Sequence, residues 1–164
     1  MARSLVPLLL TLKVAGLATV AAFLVGVALA WLLARFRIWG KEWLDAALTL
    51  PMVLPPTVLG YYIIVLMGRN GWIGRWLYEQ FGFTLMFTWQ GAVVASSIVS
   101  LPLVFKAARS AFEDVDHNLE KAARTLGLSE TAVFFLVSLP LAWRGILSGT
   151  MLAFARSMSE FAAT

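Results

Sequence analysis

The sequence predicts an all-α integral membrane protein, a single-domain helical bundle of about four transmembrane helices, on three observations. Of its 164 residues, 60% are hydrophobic and only 13% charged, against about 25% charged in ordinary soluble domains. Mean hydropathy is +0.83, so polar side chains are too few to face water everywhere, and most of the exterior must face lipid. Apolar stretches long enough to cross ~30 Å of hydrocarbon also recur along the chain, with Lys and Arg gathered between them.

Charge and composition narrow the chemistry. A net charge of +4 does not by itself point to nucleic acid, because membrane proteins keep Lys and Arg in cytoplasmic loops as orientation signals. No basic run with interleaved aromatics occurs, so no nucleic-acid partner is expected. With no cysteine, disulfides, thiolate chemistry and Cys-based metal sites are excluded. The one histidine, His117, falls in a loop, and no metal site is expected.

Residues 14–34 form the first span, with Lys13 at its start able to snorkel to the interface. Ala28-Leu29-Ala30 resembles a signal cleavage site. The core is too long for that, however, and positive charges and further spans follow it. Arg35, Arg37 and Lys41, flanked by Trp39 and Trp43, make a short basic loop of the cytoplasmic kind.

The second span, residues 46–68, carries Pro51, Pro55 and Pro56. Each proline removes a donor and clashes with the carbonyl four residues back. In lipid such a helix survives only where protein or a watered cavity satisfies the freed groups. It reads either as a kinked packing helix or as a bent helix lining a pathway, with Thr57, Tyr61 and Tyr62 as nearby polar groups. Residues 68–83 read as an external loop holding a short interfacial helix between glycine turns.

The third span covers residues 86–106, where small side chains at Gly91, Ala92, Ala95, Ser96 and Ser97 favour close helix approach. The fourth, residues 141–164, carries Arg156 and Glu160 on one face, ~18 Å beyond Arg144 at 1.5 Å per residue. Charges at that depth usually face a bundle interior or a cavity. The pair is therefore either a self-neutralising structural one or part of a gate or pathway.

Residues 116–140 are the longest segment that is plainly not membrane-spanning. Leu119, Ala122, Ala123 and Leu126 recur at helical spacing, with Glu120, Lys121 and Arg124 on the opposite face. Asp116 is placed to cap this helix and Gly127 to end it. Ser129 is placed to cap a second helix, with Glu130 in its first turn, before Leu139-Pro140 stops the segment. Such a two-helix elbow suits capture by another protein.

Orientation follows from the cations. With the basic loop and the elbow inside, Arg35, Arg37, Lys41, Lys106, Arg109, Lys121, Arg124 and Arg144 are cytoplasmic. Arg3, Lys13, Arg69 and Arg75 are outside, and the N-terminus is external. An even number of spans would return the C-terminus to the outside, and the chain reaches Thr164 within a helix. One or more final spans are therefore expected to be missing.

No catalytic residues are expected. Gly40-Lys41 is followed by Glu42, so no phosphate-cradling loop is present, and neither HExxH nor GxSxG occurs. If energy enters at the elbow, a partner must supply it as ATP.

Ala122-Ala123, Gly127, Val137-x-Leu139-Pro140 resemble the EAA loop of ABC importer permeases. The longer stretches LPMVLPPTVLGYYIIVLMGRNG, FTWQGAVVASSIVSLPLVFKAARSAFEDVD, LEKAARTLG and LAFARSMSEFAAT resemble the molybdate (or tungstate) permease subunits, with sulfate permeases close by. The resemblance implies a type I, MetI-like permease bundle in the bacterial inner membrane that pairs as a homodimer. It also implies a periplasmic molybdate-binding protein and ATPase subunits that hold ATP and Mg, with no cofactor bound by this chain. Carried onto this chain, Glu120, Lys121, Ala122, Ala123, Gly127, Leu139 and Pro140 form the ATPase-coupling loop. Pro55, Pro56, Thr57, Tyr61, Ser96, Arg156 and Glu160 are the pathway or gate candidates. Two departures stand out: Lys121 occupies the position of the family glutamate, and Ser159 and Ala162 replace glycines around Glu160. An intramembrane enzyme using Glu160 and Arg156, or a membrane scaffold without transport, are the readings from other classes.

Overall fold

The computed structural model describes residues 2–36, 39–82 and 84–162, with side chains from Val6 to Ser159. Arg37, Phe83 and Thr164 lie outside the described residues, as do the side chains of Arg3, Glu160 and Ala162. The helices in chain order are α1 (Ala2–Arg35), α2 (Lys41–Val53), α3 (Pro56–Met67), α4 (Trp72–Phe81), α5 (Trp89–Glu113), α6 (His117–Thr125) and α7 (Glu130–Val133). A π-helical turn (Phe134–Ser138) then leads into α8 (Leu139–Ala162).

The core is the seam where α1, α5 and α8 meet, and small residues make it narrow. Ala15, Ala18, Ala22 and Ala30 of α1 are buried, with Val104, Phe105 and Ala108 of α5 and Ala142, Ile146 and Ala153 of α8. On the outward faces Val20, Leu24, Met151 and Leu152 are more than half exposed, as expected where the solvent is hydrocarbon.

Packing partners fix the directions. A Cβ on Gly26 of α1 would lie 3.1 Å from Val104 Cγ1, and the Ser97 hydroxyl lies 3.4 Å from the Ala18 carbonyl, so α1 and α5 run parallel. At one end Lys13 Nζ stands 4.3 Å over the Trp89 ring. α8 runs the other way. A Cβ on Gly145 would fall 2.6 Å from Ala111 Cβ and one on Gly149 2.4 Å from Ala107 Cβ. Four steps up α8 are thus four steps down α5, and the small-xxx-small spacing brings the two backbones together. Further along the same seam the Ser100 and Ser157 hydroxyls, both fully buried, bond at 2.7 Å. Ser157→Ala should cost about 1 kcal/mol by stranding Ser100, while Ser100→Ala/Ser157→Ala should lose less than the single change. Unfolding of the purified protein in detergent by SDS would read both.

Parallel α1 and α5 require the chain between them to return across the bundle, and α2 with α3 makes that return. Near Arg35, α2 is bound to the far end of α5 by Asp45, which lies 2.7 Å from Arg109 and 3.1 Å from Lys106. Further on, α3 passes Val99 and Ala95 and ends near Thr88 and Gly91. The break between α2 and α3 follows from Pro55-Pro56. A residue before proline is pushed to extended backbone, and Leu54 (φ −70, ψ 139) and Pro55 (φ −56, ψ 141) are both extended. Pro56 then opens α3 where its missing N–H costs nothing, and the two axes bend by 114°. Among the described residues, three helices plus this bent pair are long and apolar enough to cross a membrane. Between α3 and α5, α4 is a short helix entered from Gly71 and ended by Gly82, the arrangement expected of the loop.

Candidate functional site

The elbow closes as its residues dictate. Asp116 Oδ1 accepts the Asn118 N–H at 2.8 Å at the head of α6. At its foot Gly127 takes φ +87, a conformation that costs a residue bearing a Cβ ~1–2 kcal/mol. The turn satisfies two carbonyls: Gly127 N–H donates to Arg124 O at 2.9 Å and Leu128 N–H to Ala123 O at 3.3 Å. Ser129 Oγ then accepts the Ala132 N–H at 3.3 Å and starts α7. Pro140, at the second position of α8, cannot donate to the Leu136 carbonyl. The expected stop at Leu139-Pro140 does not occur: the chain stays helical from Glu130 through the π-helical turn into α8, and the candidate span is Glu130–Ser159.

Burial divides α6 differently from its apolar periodicity. Of the apolar stripe, Ala123 alone is buried, whereas Ala122 is exposed and Leu119 and Leu126 are 50% and 83% exposed. Glu120, set opposite the apolar stripe by its spacing, is only 7% exposed. The cause is a set of partners far away in sequence. Glu120 Oε2 lies 3.0 Å from Arg35 Nη1 at the end of α1, and Oε1 accepts the Ser138 hydroxyl at 2.5 Å. Arg124 and His117 stand at 3.5 and 3.4 Å. Arg35 also binds Glu130, which Arg124 reaches at 2.9 Å. With its charge matched by two guanidinium groups, Glu120 can be buried, and the leucines are left facing outward. Lys121 is exposed, so the departure from the family glutamate falls on the outer surface; Leu139 is half-buried and Pro140 exposed.

The second group centres on the break. A cavity of about 200 Å³ lies under the bend, lined by Pro51, Leu54, Pro56, Leu59, Gly60 and Ile63, by Ala95 and Val99 of α5, and by Arg156 of α8. Arg156 adjoins Ser157, and the Ser100–Ser157 bond puts that level near the middle of α5. Pro56 and Arg156 are thus brought together. Pro55, Thr57 and Tyr61 are exposed outside this lining, Tyr61 edge-on to Tyr62 at 6.0 Å. Ser96 is enclosed at 1% exposure, its hydroxyl without a hydrogen-bond partner. The Glu160 side chain lies outside the described residues.

Sequence reasoning missed Arg35, Ser138 and Asp45. Arg35 was read as one more orienting cation; no helical periodicity ties it to Glu120, 85 residues away. For Asp45 a signal existed: an acid inside a basic, aromatic-flanked stretch needs a cation.

These features define a class: a multi-pass membrane component whose bundle carries a helical elbow on one end. The family model described as "binding-protein-dependent transport system inner membrane component" matches residues 6–164, and the chain belongs to that family. The chain is 53% identical over 156 residues to the molybdenum transport system permease protein ModB of Escherichia coli K12, covering 95% of this chain and 68% of that protein. The Haemophilus influenzae ModB is 51% identical over 135 residues, with 82% and 59% covered. A probable sulfate transport permease of Chlorella vulgaris is 37% identical over 153 residues, with 93% and 57% covered. Among solved structures, an amino acid ABC transporter crystallised with histidines aligns at TM-score 0.62 and 23% identity, over 94% of this chain and 67% of that one. The fold is the MetI-like permease bundle, and the protein is a multi-pass component of the inner membrane. Family membership makes it a transport subunit and leaves the intramembrane-enzyme reading unsupported.

Proposed function

We propose that this chain is the permease of an ATP-driven importer of molybdate or tungstate. The observation that carries the reading is the 53% identity to a molybdenum permease over 95% of the chain. In this reading the chain pairs with a second copy of itself. A periplasmic binding protein delivers the oxyanion from outside, and ATPase subunits bind the elbow from the cytoplasm. The basic end of the bundle lies inside and the N-terminus outside. ATP and Mg sit in the partner, and this chain binds no cofactor.

The elbow offers Leu119, Ala122 and Leu126 as an apolar outer face, with Lys121 beside it, a shape suited to a groove on a partner. Closure of the ATPase pair moves the elbow and biases the spans between inward- and outward-open states. The oxyanion passes the bend between α2 and α3, where Pro56 and Arg156 meet at the cavity; Pro55, Thr57, Tyr61, Ser96 and Glu160 are the further pathway candidates.

Gly127→Val tests the elbow. A β-branched residue resists positive φ, so the turn should open and the ATPase subunit should no longer co-purify, while the permease still inserts. Retention of the ATPase at wild-type level would remove the docking assignment. Sulfate is the second reading, favoured by the Chlorella relative. Uptake of molybdate into vesicles, competed by tungstate but not by sulfate, separates the two.

A further inference from the structure

Two elements, α1 and the π-helical turn, converge on the Glu120 carboxylate of α6. Its Oε2 meets Arg35 in the last turn of α1 at 3.0 Å, and its Oε1 meets Ser138 at 2.5 Å. Ser138 is the last residue of the π-helical turn, immediately before α8. The side chains of Arg35 and Glu120 are 13% and 9% exposed. A charged pair out of water, with hydrogen bonds on both sides, is short and directional.

The surroundings make this link more than a staple. α6 packs on α7 and the π-helical turn, and its outer leucines touch nothing in the chain that would bury them. The tie from α6 to α1 runs through the Arg35–Glu120 pair, and Glu130 holds the other arm of the same guanidinium. π-helical turns are rare, recur at functional sites and are one cause of sharp kinks in helices. One lies here between the elbow and α8, the helix that carries Arg156 to the cavity and Ser157 to its bond with α5.

We propose that Arg35, Glu120 and Ser138 form the strut through which movement of the elbow reaches the first and last spans. Arg35 and Glu120 are positioning residues, acting on the pathway through α1 and α8 without touching what passes. The inference rests on the importer reading, because a strut has work to do only if the elbow is driven.

The test uses the full transporter, with its ATPase and binding protein, in proteoliposomes given molybdate. Four readouts are taken: co-purified ATPase, ATP hydrolysis, uptake, and ATP consumed per oxyanion. Arg35→Gln, which leaves Arg124 and Ser138 on the Glu120 carboxylate, should keep the ATPase bound and hydrolysing within about twofold of wild type. Uptake should fall roughly tenfold or more, so the ATP spent per oxyanion rises. Arg35→Lys should restore much of the uptake, and Arg35→Gln/Glu120→Gln should be no worse than either single variant, since both break one link. Ser138→Ala, which removes a single hydroxyl, should show the same uncoupling more mildly. Uptake and hydrolysis falling together, uptake unchanged, or losses that multiply in the double variant would each overturn the strut. No ATP-dependent uptake by the wild-type assembly would instead overturn the importer reading, and the strut with it.

Discussion

Replacing Gly149 with leucine should cost the bundle about 3 kcal/mol or more, the upper end of what overpacking does. The site has no slack. A single Cβ there would stand 2.4 Å from Ala107 Cβ and 3.1 Å from the Leu103 carbonyl, whereas carbon atoms rest at about 3.5–4.0 Å. Relief requires α5 and α8 to part by more than an ångström. Parting spreads along the seam, to Gly145 against Ala111 and to the Ser100–Ser157 bond. In lipid no hydrophobic force draws the helices back together, so the lost packing is not replaced. The decisive control moves one methyl across the interface: Gly149→Ala alone should lose stability, and Ala107→Gly/Gly149→Ala should recover most of it. SDS titration of the detergent-solubilised protein reads all three. If Gly149→Ala unfolds with the wild type, the two backbones are not this close.

What the sequence made legible here, and what it did not, divides along local and non-local physics. Gly127 was readable because a helix followed by a second capped helix needs a residue that tolerates positive φ, and it takes φ +87. Pro55-Pro56 was readable as a break because proline acts on its own neighbours; the 114° bend was not, since it depends on what α3 packs against. Small residues in α5 announced close approach, but the pairing of Ala107 with Gly149 is a register between distant segments. Glu120 illustrates the limit best. A helical wheel places a glutamate outward by default, and only the arrival of Arg35 and Ser138 makes burial tolerable. Among the pathway candidates, Arg156 and Pro56 share a cavity that spacing could not reveal. The exposure of Thr57 and Tyr61 and the enclosure of Ser96 were equally beyond it.

The paired alanines of the elbow give the second large effect, because neighbours in sequence stand on opposite sides of α6. Ala123 is 6% exposed, one helical turn from the buried Glu120, and Ala122 faces outward between Leu119 and Leu126. Ala123→Glu would force a second carboxylate into a site whose cations, Arg35 and Arg124, are already engaged by Glu120 and Glu130. An unmatched charge there costs several kcal/mol. The elbow should come apart, shown by rapid proteolysis after Arg124 even in the isolated permease. Ala122→Glu meets no such barrier, since its carboxylate reaches water in the free protein. The elbow should stay as protease-resistant as wild type and lose only its partner, because docking would bury the new charge in an apolar contact. Both variants should lack co-purified ATPase, and only Ala123→Glu should be cleaved. ATPase retained by Ala122→Glu would mean that the partner does not grip the Leu119–Leu126 face, and cleavage of both variants alike would mean that Ala122 also supports the fold.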